Sequence, residues 1–327
     1  MPTSVPIAVP FTSIVVGTDF TACSAVALAQ AIRIAGWSGG AKVHVVHVID
    51  TAVVIELETA LSPMQQAIRD GLTKDAEKAW AHFTKGVPEA EGLPIEVSIN
   101  NKIVGILQRA HTDKADLIVM GAFGQRTPDI GMGTVATACL RKSMTDVLLV
   151  RDTRPQGGRS PFKTIVAAVD FSPTSLRAVA RAAMFAAKDG AELHVLHVFE
   201  APWHQLLYGE SKPLTSDHQQ KDYRDGIELR LTEFCGPVLE AHAGLRVNMA
   251  VYDSSGHRSG IVEYADKAGA DLIVLGRRGR TKLRDLLLGS MAEKAVEGSK
   301  CSILAVKPEG FDHPLAADEV PEPLPLK

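Results

Sequence analysis

Ala115-Asp-Leu-Ile-Val-Met-Gly121 and Ala270-Asp-Leu-Ile-Val-Leu-Gly276 are nearly the same seven residues, about 150 positions apart. Each is a short, β-branched apolar run that does not alternate, as a strand buried on both faces of a parallel sheet should read. Working outward, three more segments recur in the same order. Ser13–Thr21 (SIVVGTDFT) pairs with Thr164–Ser172 (TIVAAVDFS). Val43–Asp50 (VHVVHVID) pairs with Leu193–Glu200 (LHVLHVFE), and the run Asp146–Arg151 pairs with Cys301–Lys307. Repeats spaced by one domain length mean that the chain contains one domain twice.

The expected layout is a first domain at 11–152, a linker at 153–161, a second domain at 162–308 and a loose tail at 309–327. The linker, Thr153–Pro161 (TRPQGGRSP), is rich in Pro and Gly and lacks periodicity. The tail carries Pro314, Pro321, Pro323 and Pro325 among several acids. Between the apolar runs lie helical patterns, near 24–35, 63–83 and 103–112 in the first half. Strand alternating with helix argues an α/β fold with an open, doubly wound parallel sheet in each half. Ligands of such sheets sit beyond the carboxyl ends of the strands, at the switch point.

Bulk properties narrow the function. With 327 residues, 46% of them hydrophobic and 22% charged, there is apolar material for two soluble cores. A net charge of −3 is not that of a nucleic-acid binder. No stretch is apolar enough to span a membrane, and no secretory leader is visible. Cys23, Cys139, Cys235 and Cys301 form no CxxC pair, so they read as reduced packing residues in a cytoplasmic protein. His44 and His47, like His194 and His197, stand an odd number of residues apart on a strand. They therefore face opposite ways and no metal site is expected.

The segment Gly276–Ser290 (GRRGRTKLRDLLLGS) holds the most chemistry. It directly follows a strand and leads into a helix for which Ser290 and Glu293 form a capping box. A helix N-terminus behind a glycine-rich turn suits a polyphosphate. Arg277, Arg278, Arg280, Arg284 and Lys282 add positive charge there. No GxxxxGK[ST] is present, so this is not a Walker A loop.

The spacing Gly-x2-Gly-x9-Gly-Ser after the Asp-Leu-Ile-Val-Leu strand resembles the ATP-binding motif of universal stress proteins, and Gly276, Gly279, Gly289 and Ser290 fit it without a gap. The resemblance extends to Val169–Ser172 and to His197-Val198, and it covers both halves. It implies Rossmann-like domains of the adenine nucleotide alpha hydrolase type. It also implies that Asp170 meets the adenine or ribose end of ATP, and that the Val198 backbone binds adenine. Leu275 and Gly276 would lie beside ribose and phosphates, and Gly279, Gly289, Ser290 and the Met291 amide would line the triphosphate. Asp170 can do this because Ser172, followed by Pro173, is the better cap for the next helix.

The first half departs from that pattern. Asp19, Val48, Met120, Gly121, Gly124, Gly133 and Thr134 match by position, but only eight residues separate Gly124 from Gly133. Pro128 and Asp129 fall in that shorter loop, and Thr137 stands three residues after the expected helix start, Thr134, where an acid would complete a box. This half is a weaker nucleotide site or has lost the nucleotide.

The expected function is therefore regulatory: ATP, or ADP or AMP, with or without Mg²⁺, held mainly by the second domain in a stress response. The alternative is a nucleotide-free scaffold acting through protein contacts. No base-and-nucleophile constellation is visible, so any enzymatic activity would be slow hydrolysis or autophosphorylation. A nucleotidyl transferase would want a HIGH-like motif after the first strand, which neither Asp19-Phe-Thr-Ala nor Asp170-Phe-Ser-Pro supplies. The expected partners are an adenine nucleotide and a regulatory protein, with no nucleic acid and no membrane. Relatives pair through their last strand, so the resemblance implies an internal pseudo-dimer through Val147–Val150 and Ile303–Val306, with or without further homodimerisation.

Overall fold

A computed structural model describes residues 6–61, 65–124, 132–152, 160–205, 216–254, 257–277 and 298–308. The chain divides into two compact units, one built on Pro10–Ser160 and the other on Pro161–Glu309.

The first unit runs β1 (Ser13–Gly17), α1 (Ala22–Trp37), β2 (Lys42–Asp50), α2 (Thr51–Ala60) and α3 (Gln65–Phe83). It continues through β3 (Ile95–Asn100), α4 (Lys102–Thr112), β4 (Leu117–Gly121), α5 (Thr134–Lys142) and β5 (Asp146–Val150). Its strand order is β3-β2-β1-β4-β5, and every pair is parallel. The second unit repeats this with β6 (Thr164–Ala168), α6 (Pro173–Asp189), β7 (Glu192–Phe199), α7 (Pro202–Gln205) and α8 (Asp217–Glu240). Then come β8 (Arg246–Asp253), α9 (His257–Ala268), β9 (Leu272–Gly276) and β10 (Ser302–Val306), in the parallel order β8-β7-β6-β9-β10.

The strands expected from apolar runs are buried as their sequences require. All of β1, β5 and β10 is buried, as are Leu117–Met120 of β4 and Leu272–Leu275 of β9. Each sheet also has a fifth strand that the apolar runs do not announce, β3 and β8. Both lie at a sheet edge and are only partly buried, so their sequences mix polar with apolar residues. The helical pattern expected from 63 to 83 begins at Gln65 among the described residues, and α2 precedes it directly after β2.

The repeated aspartate of Ala-Asp-Leu-Ile-Val has a structural task. Asp116 accepts hydrogen bonds from the Thr12 amide and hydroxyl (2.7 and 2.8 Å) and from the Ser13 amide. Asp271 accepts from the Lys163 and Thr164 amides (2.8 and 3.1 Å). Each carboxylate thus joins the start of β4 or β9 to the start of the central strand beside it. It satisfies amides that the ladder leaves over.

A second matched feature sets how closely a helix approaches the sheet. A Cβ on Gly105 of α4 would lie 2.8 Å from a Val48 methyl, and one on Gly260 of α9 would lie 2.5 Å from a Val198 methyl and 2.9 Å from Ser254 Cβ. Both valines are buried. Gly260→Ala is therefore expected to destabilise the chain by about 1–3 kcal/mol through overpacking. Urea unfolding checks this, and an unchanged midpoint would mean that Val198 has room to move.

Candidate functional site

Two turns build the site in the first unit. After β1 the chain passes through Thr18, Asp19 and Phe20 into α1, capped by Thr21, whose hydroxyl accepts from the Ser24 amide at 3.3 Å. Asp19 Oδ1 accepts from the Thr21 amide (3.2 Å) and hydroxyl (2.6 Å), which closes an Asx turn. Its other oxygen, Oδ2, lies 2.6 Å from where a Cβ on Gly124 would stand, so this carboxylate reaches the loop after β4 only because Gly124 has no side chain. The second turn is that loop. It leads to α5, whose first turn contains no acid and receives no side-chain cap. Its leading amides therefore have no intrahelical partner and carry the positive end of the helix dipole.

Between the two turns lies a cavity of about 550 Å³, open at the carboxyl ends of β1, β2 and β4. The strand order reverses between β1 and β4, so this is the switch point where ligands of doubly wound sheets bind. All seven residues expected for this half from sequence line it: Asp19, Val48, Met120, Gly121, Gly124, Gly133 and Thr134. Sequence reasoning missed Thr18, His47, Lys102 and Ile106, which line it as well. His47 was legible as a strand residue of fixed face, while Lys102 stands first in α4, after a strand that no apolar run announced.

The structure adds two details. Thr134 is the first residue of α5, where the helix start was expected; Gly133 holds the cap position, and its carbonyl accepts from the Thr137 hydroxyl at 3.1 Å. A Cβ on Gly121 would meet Cys23 of α1, Sγ at 3.0 Å and the carbonyl carbon at 3.2 Å. Gly276 repeats this against Thr174 of α6, at 3.0 Å from its methyl. Both glycines let a helix pack against the strand end.

In the second unit Asp170 repeats the Asx turn, its Oδ1 accepting from the Ser172 amide at 3.0 Å. Ser172 caps α6 with Pro173 in the first turn, the assignment that leaves the other oxygen of Asp170 available to the cleft. Val198, Leu275 and Gly276 occupy the ends of β7 and β9. Gly279, Gly289, Ser290 and Met291, with Arg278, Arg280, Lys282 and Arg284, lie outside the described residues. Arg277 is described, and it is buried (3% exposed) and not part of a solvated loop.

The paired histidines part company as their spacing requires. His44 meets Asp113 (3.1 Å) and Arg109 (3.2 Å), whereas His47 Nδ1 meets the Thr18 carbonyl (2.9 Å). Among the described residues no group of three or more His, Cys, Asp or Glu is gathered to hold a metal ion. Burial pushes the thiols of Cys139 and Cys235 up to about 12. A thiol that high is protonated at neutral pH and poorly nucleophilic. Iodoacetamide at pH 8 should therefore leave these two unlabelled in the folded chain and modify them after denaturation, as read by peptide mass spectrometry. Rapid labelling of either in the folded chain would mean that its burial is transient.

The comparisons with known proteins now bear on this geometry. The profile of the Universal stress protein family matches residues 10–151 and again 161–307. The chain belongs to the universal stress protein family. It is 34% identical over 147 residues to universal stress protein A homolog 1 of Coxiella burnetii, covering 44% of this chain and 96% of that relative. It is 24% identical over 273 residues to universal stress protein E of Escherichia coli, covering 81% of this chain and 84% of that one. A crystal structure of a universal stress protein from Archaeoglobus fulgidus shares the fold at a TM-score of 0.62 and 21% identity, over 90% of this chain and 98% of that one. In this universal stress protein both matched segments carry the Asx turn at the end of their central strand.

Among the described residues no helix is long and apolar enough to cross a membrane.

Proposed function

We propose that this universal stress protein is a regulatory protein of the stress response that binds adenine nucleotide in each half. The second half, whose glycine spacing is complete, would be the main ATP site. The observation that carries the reading is the 550 Å³ cavity of the first half, bounded by a carboxylate at one turn and an uncapped helix start at the other. Its volume lies within the roughly 300–1,000 Å³ of cofactor sites. Its donors and acceptors fit the two ends of a nucleotide. The α5 amides and Lys102 suit phosphate, Asp19 suits a ribose hydroxyl, and the backbone at Val48 suits the edge of a purine.

In the second half Asp170, Val198, Gly276, Gly279, Gly289, Ser290 and the Met291 amide would play the corresponding parts. A bound Mg²⁺ would be carried in with the triphosphate. Binding of nucleotide at the switch point would order the two turns and so alter the surface offered to a regulatory protein.

Calorimetric titration of nucleotide-stripped chain with ATP, ADP and AMP, with and without Mg²⁺, tests the proposal. Saturable binding is expected, with the tighter component removed by Gly289→Arg. A chain that gives no heat with any of the three acts as a scaffold through protein contacts, and the nucleotide reading fails.

A further inference from the structure

The turn that presents the aspartate is built twice, and the two copies agree beyond the aspartate itself. In the first unit the Thr18 amide donates to the Val46 carbonyl at 3.0 Å, and the Thr18 carbonyl accepts from His47 Nδ1 at 2.9 Å. In the second, the Val169 amide donates to the Leu196 carbonyl at 2.8 Å, and the Val169 carbonyl accepts from His197 Nδ1 at 2.7 Å. A carbonyl oxygen can only accept, so both rings carry a hydrogen on Nδ1. The residue before each aspartate is thus held through both of its backbone polar groups by the neighbouring strand.

The residue after each aspartate is matched as well. Phe20 and Phe171 adopt φ of 62° and 60°, a left-handed conformation that is strained for an aromatic residue. Among the described residues only Lys114 shares such a φ without being glycine. In that conformation each phenylalanine ring lies on the histidine, with centroids 4.4 and 4.6 Å apart. Each also takes an aromatic edge, from Phe83 of α3 at 5.6 Å and from Phe234 of α8 at 5.5 Å. Asp19 and Asp170 stand between the clamped residue and the strained one.

We propose that His47 and His197 are positioning residues. Through the carbonyl ahead of the aspartate, each fixes the peptide plane from which Asp19 or Asp170 departs, and so the direction in which its second oxygen faces the cleft. The two halves differ around this latch, with Thr18 against Val169 and eight loop residues against nine. The Nδ1 hydrogen bond, the left-handed φ and the centroid spacing recur regardless, while the ring planes meet at 25° in the first unit and 51° in the second. A histidine needed only for packing would require the ring contact alone, whereas here the ring contact and the Nδ1 bond recur together. The consequence for affinity rests on the nucleotide reading above; the positioning itself does not.

Two substitutions separate donor from ring. His47→Phe keeps an aromatic ring against Phe20 and removes the donor, while His47→Asn keeps an N–H near the place of Nδ1 and removes the ring. His197→Phe and His197→Asn repeat the pair in the second unit. In the unliganded chain, the Cα and Cβ carbon shifts of Phe20 report its backbone conformation. They should leave left-handed values in His47→Phe and keep them in His47→Asn. ATP affinity of the affected half should fall about tenfold in the Phe variant, the effect of losing one hydrogen bond, and recover to within about threefold in the Asn variant.

Unchanged Phe20 shifts and unchanged affinity in His47→Phe would overturn the proposal. So would equal losses in the Phe and Asn variants, which would assign the effect to ring packing. Should the unsubstituted chain bind no nucleotide, the function proposed above fails, and the carbon shifts alone decide the positioning role. Where one variant does not fold, its counterpart at His197 gives the same reading through Phe171.

Discussion

Phe185→Ala is expected to remove about 3–5 kcal/mol from the stability of the second unit. Phe185 lies on the inner face of α6, is fully buried and packs 6.2 Å from Phe162, centroid to centroid. Ala178 and Ala182, seven and three residues earlier on the same face, are small and fully buried, so few side chains can swing in to fill the gap. The alanine-rich face allows α6 to pack close to the sheet, and the single large ring supplies volume that the alanines do not. Urea unfolding followed by circular dichroism should show the midpoint fall without a change of slope. A loss below about 1 kcal/mol would mean that the site collapses around the deletion.

Thr134→Asp should act on binding and on stability with opposite signs. The new carboxylate would stand in the first turn of α5, where an acid favours a helix by about 0.3–1 kcal/mol. Thr134 is exposed and lines the cavity, so the substitution meets no steric obstacle. A phosphate at the same helix end would face a like charge at about 4 Å. That repulsion is about 1 kcal/mol in bulk water and about 4 kcal/mol at an effective dielectric constant of 20. Affinity of the first half should therefore fall by roughly 5- to 1,000-fold, while the thermal midpoint of the unliganded chain stays level or rises. Titration calorimetry and a thermal melt on one preparation check both signs. Undiminished affinity would move the phosphate away from α5.

Much of the fold was legible because parallel sheets impose a strong pattern. Ile14–Val16, Leu117–Met120 and Val147–Val150 are apolar at consecutive positions because both faces of those strands are covered. The cap of α6 was legible too, since Ser172 offers the hydroxyl that a helix start needs, whereas α1, expected from about 24, starts at Ala22 behind Thr21. The edge strands β3 and β8 were not. With one edge open, Glu96 in β3 and Asn248 in β8 are tolerated, and the runs look like loops. Legibility of the site stopped at the same limit. The glycine spacing located the loop after β4, but that Gly121 and Gly276 also make room for Cys23 and Thr174 across a helix contact needed the structure. Nothing in local preference points to a left-handed Phe20, since phenylalanine is poorly suited to that region. Only the recurrence of Asp-Phe before Thr or Ser hinted that the position mattered.

Nucleotide content tests the central claim most directly. The chain is purified from cells without added nucleotide and denatured, and the released bases are separated by chromatography and counted per chain. The account predicts adenine nucleotide at roughly one per chain or above, reduced by Gly289→Arg and, in whatever part the first half holds, by Thr134→Asp. A chain that releases none, and takes up none when Mg²⁺ and ATP are supplied, would contradict it.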